Sequence, residues 1–221
     1  MRAVVSLMRR VLLLLALGGL LAMQAPALTI GAIQGGAAES PYLNRFVTFR
    51  GVVVGRYEDE NTRGDVYYTL FVQSLAGQTD GDPATSDGIA VFLGREPRRD
   101  VALGDVVRVG GKVTEFYGLT EIDDRGLTVT VEDRTSLPAP VPLNPPADNA
   151  AAAAALEALE GMRVSLDEAV VAGPTHTGCG FAVVGAAVAS PLPLLHRADS
   201  DPTGQAVPIL YPSDLDCAGI P

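Results

Sequence analysis

A chain of 221 residues with 26 Asp and Glu against 16 Lys and Arg carries a formal net charge of −10, so it exerts no general electrostatic pull on a polyphosphate. Aromatic residues make up 5 % and Trp is absent, which leaves Val, Leu and Ile to build the core of one large domain or two small ones. Two Cys and two His in the whole chain exclude a disulfide-dense scaffold and provide no set of ligands at zinc spacing.

Met1 to Arg10 contains Arg2, Arg9 and Arg10 and no acid. Val11 to Met23 is then almost wholly apolar, and Ala25-Pro26-Ala27 supplies a small-x-small cleavage pattern. This is the layout of a secretory signal peptide over residues 1–27. Its apolar run is short against the roughly 20 residues needed to span a hydrocarbon core, and an uncleaved membrane anchor is the competing reading. Cleavage near Ala27 yields a secreted or periplasmic chain with 13 basic and 26 acidic residues, a net charge near −13. In that oxidising compartment Cys179 and Cys217 form a candidate disulfide, with two buried free thiols as the alternative.

Residues 46–57 (FVTFRGVVVGRY) alternate apolar with small or polar side chains and predict a long strand. Gly51 and Gly55 interrupt it, as a bulge or bend at a barrel corner requires. After a charged turn, Val66 to Ser74 predicts a second strand, with Val66, Tyr68, Leu70 and Val72 on one face and Tyr67, Thr69, Phe71 and Gln73 on the other. A polar loop, GQTDGDPATSDG, leads to a third strand, Ile89 to Leu93. Pro97 and Gly104 leave room for only a short connection before the fourth strand, Gly104 to Gly118, which Gly110-Gly111 bends. Leu119 to Asp123 and Leu127 to Val131 make a fifth, broken by the Asp124-Arg125-Gly126 turn. A bent first strand and a short third crossover are the parts of an OB-fold barrel, here residues 28–136, although another small barrel or sandwich shares the same alternation.

Leu137 to Pro146 is proline-rich and predicts a stiff linker over 137–149. Asp148 or Asn149 can cap a helix through Ala150–Glu160, stopped by Gly161 and docked mainly by Leu156 and Leu159. Strand patterning restarts at Met162 and recurs at Phe181 and Ile209. The fold class is therefore all-β: a five-stranded OB-fold-like barrel, then a short helix and an incomplete β unit over 150–221.

The succession IGAIQGGAAESPYLNRFVTFRGVVVG, LFVQS, DGDPATSDGIAVFLG and LGDVVRVGGKVTEFYGLTEI resembles the OB-fold region preceding the catalytic domain of large secreted bacterial nucleases of the endonuclease/exonuclease/phosphatase superfamily. LEALEGMRVSL is similar to the segment that follows that barrel, so the resemblance covers residues 29–172. It implies an accessory, nucleic-acid-associated module partnered with a metal-dependent phosphodiesterase domain. The Glu, Asp, His and Asn residues of such a catalytic domain are missing from this sequence, so the resemblance carries over no catalytic residue and leaves a truncated reading frame as one explanation.

On this reading, Tyr67, Phe71 and Gln73 face outward to stack or contact single-stranded nucleic acid, Arg50, Arg56, Arg108 and Lys112 track its backbone, and Phe116-Tyr117 ends the fourth strand beside them. The alternative is that the aromatics fill the barrel or its mouth, the basic residues pair with surface acids, and the barrel is an envelope structural or protein-interaction domain. Asp80, Asp82 and Asp87 could gather around Ca²⁺, but Ala84 and Val91 occupy positions where an EF-hand needs ligands; Asx turns by Asp82, Asp87 and Ser86 compete. A hydrolase has only His176 and His196 as bases, near Ser190 and Ser200, and no G-x-S-x-G turn.

Overall fold

The computed structural model describes residues 28–61, 63–144, 146, 149–171, 181–185 and 207–209. The expected signal peptide, Cys179, Cys217, His176 and His196 lie outside these residues.

A short helix, α1 (Ile30–Gln34), is capped by Thr29, whose Oγ1 accepts the Ala32 N–H at 3.1 Å. Six strands follow: β1 (Phe46–Glu60), β2 (Val66–Gln73), β3 (Gly88–Gly94), β4 (Asp105–Phe116), β5 (Leu119–Ile122) and β6 (Thr128–Arg134). They pair in the order β1-β2-β3-β5-β4-β6, and β4 pairs back onto β1, so five strands close a ring. Only the β3–β5 seam is parallel; the other pairings in the ring are antiparallel. This is the OB-like arrangement expected, and ring closure leaves β6 as its one outer strand.

Local chemistry explains the register. On β2, Tyr68, Leu70 and Val72 belong to or pack on the core, as the alternation requires. A register shift between Val53 and Gly55 is the bulge anticipated on β1, and it exchanges the strand's two faces: Val53 opposes inward Val72, whereas beyond it Arg56 opposes inward Leu70. The β4–β5 hairpin turns through Tyr117 and Gly118 with φ of 52° and 84°, positive at both central residues, as the twist of a two-residue hairpin favours. The fifth strand is indeed broken. β5 pairs with the end of β4, and after the 123–127 turn β6 resumes along its beginning.

The core is aliphatic apart from Phe49, which is fully buried. Ile30 and Ile33 of α1 close the ring near the start of β3, where Gln34 Nε2 donates to the Gly88 carbonyl at 2.6 Å. Val101, from the connection that follows β3, is fully buried beneath the opposite end. That connection contains turns and no helix.

The proline-rich segment is more than a linker. β7 (Val141–Pro142) pairs in parallel with β8 (Val164–Ser165), and Leu143 is buried. Between them, α2 (Asn149–Glu157) buries Ala152, while Leu156 and Leu159 are half-buried. Three further strands, β9 (Ala169–Val171), β10 (Phe181–Gly185) and β11 (Val207–Ile209), form a small antiparallel sheet in the order β11-β10-β9, the partial second β unit. Among the described residues no helix is long and apolar enough to cross a membrane.

Candidate functional site

The outward face of β2 and β3 carries the most organised group of aromatic side chains. Tyr67 and Phe92 stack with ring centroids 5.9 Å apart and an interplanar angle of 27°. The Arg95 guanidinium lies 5.6 Å from the Tyr67 centroid and bonds Asp65 at 2.9 Å. Phe71, two residue pairs along β2, lies over Gly55 of β1; a Cβ at Gly55 would come within 3.2 Å of its ring. Tyr57 opposes Thr69 and joins the same face, and burial, then the Asp59 charge, raises its hydroxyl pKa. Rings from three strands therefore share one half-buried surface.

One end of this face is closed by the chain that follows α2. Gln73 points outward, as its alternation requires, yet it is buried, and its Oε1 accepts the Arg163 N–H at 3.0 Å. Gly161 and Met162 lie directly on Gly88: a Cβ on Gly88 would meet Met162 N at 2.5 Å. The Glu160 carbonyl accepts from Ser86 Oγ at 2.6 Å, and its carboxylate accepts from Thr120 N at 3.0 Å and Gln34 Nε2 at 3.2 Å. Burial, with Glu157 and Glu115 nearby, pushes the Glu160 carboxyl up to about 7 despite those hydrogen bonds.

Carboxylates border the rest. Asp59 is opposite Tyr67, and Glu121 of β5 lies across Ala90 from Phe71. Glu121 is 7 % exposed. Burial, then the charges of Asp123, Asp124 and Glu115, pushes its carboxyl up to about 7. Asp124 reaches over Gly94, next to Arg95. Asp123 behaves in the opposite way, held down to about 2 by Arg125, which donates to it at 2.6 and 2.9 Å.

The basic residues expected to track a backbone do not join the aromatic face. Arg50 and Arg108 face each other across β1 and β4 on a different side of the ring, and both bond Glu132, at 2.6 and 2.5 Å. Arg56, turned by the bulge, donates to the Val101 and Pro97 carbonyls at 2.8 and 2.9 Å beside a 210 Å³ cleft at the barrel mouth. Lys112 opposes Phe46 on the β1–β4 side. Phe116 and Tyr117 meet edge to face at 4.7 Å on the hairpin tip and are 57 % and 97 % exposed, so they neither fill the barrel nor lie in the Tyr67 group.

The acidic loop does not gather three ligands. Asp80 Oδ1 accepts from Asp82 N at 3.1 Å and Thr85 Oγ1 at 3.0 Å, while Asp82 Oδ1 accepts from Ala84 N at 2.9 Å, two Asx turns. Ser86 Oγ likewise accepts from Gly88 N at 3.0 Å. Asp87 turns toward Ser74, and burial raises its pKa. Among the described residues no group of three or more His, Cys, Asp or Glu side chains is placed to hold a metal ion.

Tyr67 and Phe71 thus face outward as their alternation requires, and Tyr57, Phe92 and Arg95, which the sequence pattern did not mark, lie on the same face. No protein-family model and no curated protein sequence matches this chain.

Proposed function

We propose that this chain is a non-catalytic OB-like binding module that holds single-stranded nucleic acid by stacking bases on the outward face of β2 and β3. The observation that carries the reading is the Tyr67–Phe92 stack with Arg95 over it, on the face that OB-like barrels use for oligomeric ligands. The segment resemblance to secreted nucleases supports a role beside a phosphodiesterase domain in an exported protein. Stacking rather than charge has to supply the affinity, since the chain is acidic and Arg50 and Arg108 are matched by Glu132.

Fluorescence anisotropy with labelled single-stranded DNA and RNA tests this. Tyr67→Ala, Phe71→Ala and Phe92→Ala should each weaken binding by about 1–3 kcal/mol, the usual worth of one stacked base. A wild-type chain that leaves every oligonucleotide freely tumbling overturns the proposal.

A protein-interaction role without nucleic acid is the second reading. It is favoured by Phe116 and Tyr117 standing exposed at a hairpin tip, with Phe46, 69 % exposed, opposite Lys112 four residues before Phe116 on β4. On that reading Tyr117→Ala disrupts partner capture and the Tyr67 face is dispensable.

A further inference from the structure

The charges around the stacking face point one way. Asp59 stands opposite Tyr67 on β1, Glu121 lies across Ala90 from Phe71, and Asp124 lies over Gly94 at the far end of β3. Arg95 bonds Asp65, and Arg125 bonds Asp123. Arg56 is turned into the barrel mouth, and Arg50 and Arg108 are held by Glu132 on another side. A strand laid along β2 thus finds rings beneath it and carboxylates on both flanks.

We infer that the Tyr67–Phe92 face takes bases downward with the sugar–phosphate backbone held out toward solvent, so that a base strand on an uncharged backbone is its better ligand. The inference rests on the stacking reading above and names the part of the ligand that is recognised. It follows from charge complementarity at fixed positions. Aromatic faces attract any base, whereas Asp59 and Asp124 repel a backbone that descends to them. The bound length is short as well. Tyr67 to Phe71 covers about 13 Å at roughly 3.3 Å per residue, and the Gly161–Arg163 segment closes the Gln73 end. Backbone-out binding leaves the phosphodiester bonds open to a hydrolytic partner, which a phosphate-gripping groove would shield.

The test compares a labelled oligothymidine DNA with a peptide nucleic acid of the same sequence, whose backbone is neutral, on the full chain by anisotropy. At about 20 mM salt the neutral oligomer should bind at least about tenfold more tightly, and at about 300 mM the gap should narrow because screening raises DNA affinity. Ordinary phosphate contacts give the reverse slope, a loss with salt of about 0.7 per contacted phosphate on logarithmic axes. Asp59→Asn should raise DNA affinity several-fold and leave the neutral oligomer unchanged. DNA binding that is tighter than that of the neutral oligomer, or that falls with salt, overturns this inference while leaving the stacking reading intact. Absence of binding by both oligomers overturns the stacking reading and this inference with it.

Discussion

At Gly161 the backbone φ is +68°, and a Cβ would stand 2.9 Å from Ile89 N and 3.1 Å from the Gly88 carbonyl carbon. Both neighbours are main-chain atoms of a core strand and have little freedom to move. A side chain there is strained twice, by conformation and by contact. Gly161→Ala should cost about 2–4 kcal/mol in urea unfolding, clearly more than Gly77→Ala, where φ is also positive but the space is open. Equal costs at the two positions would mean that contact with β3 adds nothing. Gly161 was expected to stop the helix directly, but α2 ends at Glu157 and a run of turns leads to Gly161, whose contact with Gly88, distant in sequence, was not legible. Arg56 and Tyr57 show the same limit. Strict alternation puts Arg56 outward and Tyr57 inward, but the Val53/Gly55 bulge reverses them. The glycine that permits the bulge was visible, while its phase depended on pairing with β2. Phe92 was hidden for another reason: IAVFL is apolar throughout, so no contrast between neighbours marks which residues face out.

Among the elements, the ring strands were legible because each is long or β-rich and bounded by glycine or acidic turns, and even the interrupted fifth strand had its turn written in Asp124-Arg125-Gly126. The segment after residue 136 was not, because its order comes from docking rather than propensity. Val141–Pro142 is a strand only because Arg163 O and Ser165 O accept the N–H groups of Val141 and Leu143, at 3.0 and 2.8 Å. Glu160 fastens the same segment to the barrel. Its hydrogen bonds from Thr120 N and Gln34 Nε2 favour the ionised form, but burial beside Glu157 and Glu115 outweighs them and raises the pKa to about 7. A raised folded-state pKa gives stability that is complete below the ordinary value of 4.5 and lost as pH climbs through about 7. Protection of the Thr120 amide against hydrogen exchange, corrected for intrinsic rate, should therefore fall between pH 5 and pH 8. Glu160→Gln keeps an acceptor and should reduce that dependence to the part that Glu121 contributes. A variant with the wild-type profile would show that the loosening originates elsewhere.

For the whole molecule, the weakest part of the closed ring is its parallel seam, where β3 and β5 share two register pairs, Ala90 with Glu121 and Val91 with Ile122. One of these residues is the buried carboxyl of Glu121, raised to about 7 first by burial and then by Asp123, Asp124 and Glu115. Glu121 and Glu160 thus act in the same direction: each favours the folded state at acid pH and opposes it as pH rises from about 4.5 to about 7. Asp123 opposes them only at much lower pH, because Arg125 holds it near 2 and its contribution is lost as pH falls below the ordinary 3.8. Stability should therefore peak near pH 4–5, unlike the near-neutral optimum of many domains. Discounted for partial solvent access, each glutamate is worth about 1 kcal/mol across that span, a few degrees in melting temperature for a domain of this size. Thermal melts followed by circular dichroism should give a higher Tm at pH 5 than at pH 8. Glu121→Gln should raise Tm at pH 8, change little at pH 5, and halve the difference between the two pH values. If wild-type Tm instead rises steadily from pH 5 to pH 8, the ring closes without feeling the ionisation of Glu121, and its buried position on the seam carries no energetic consequence.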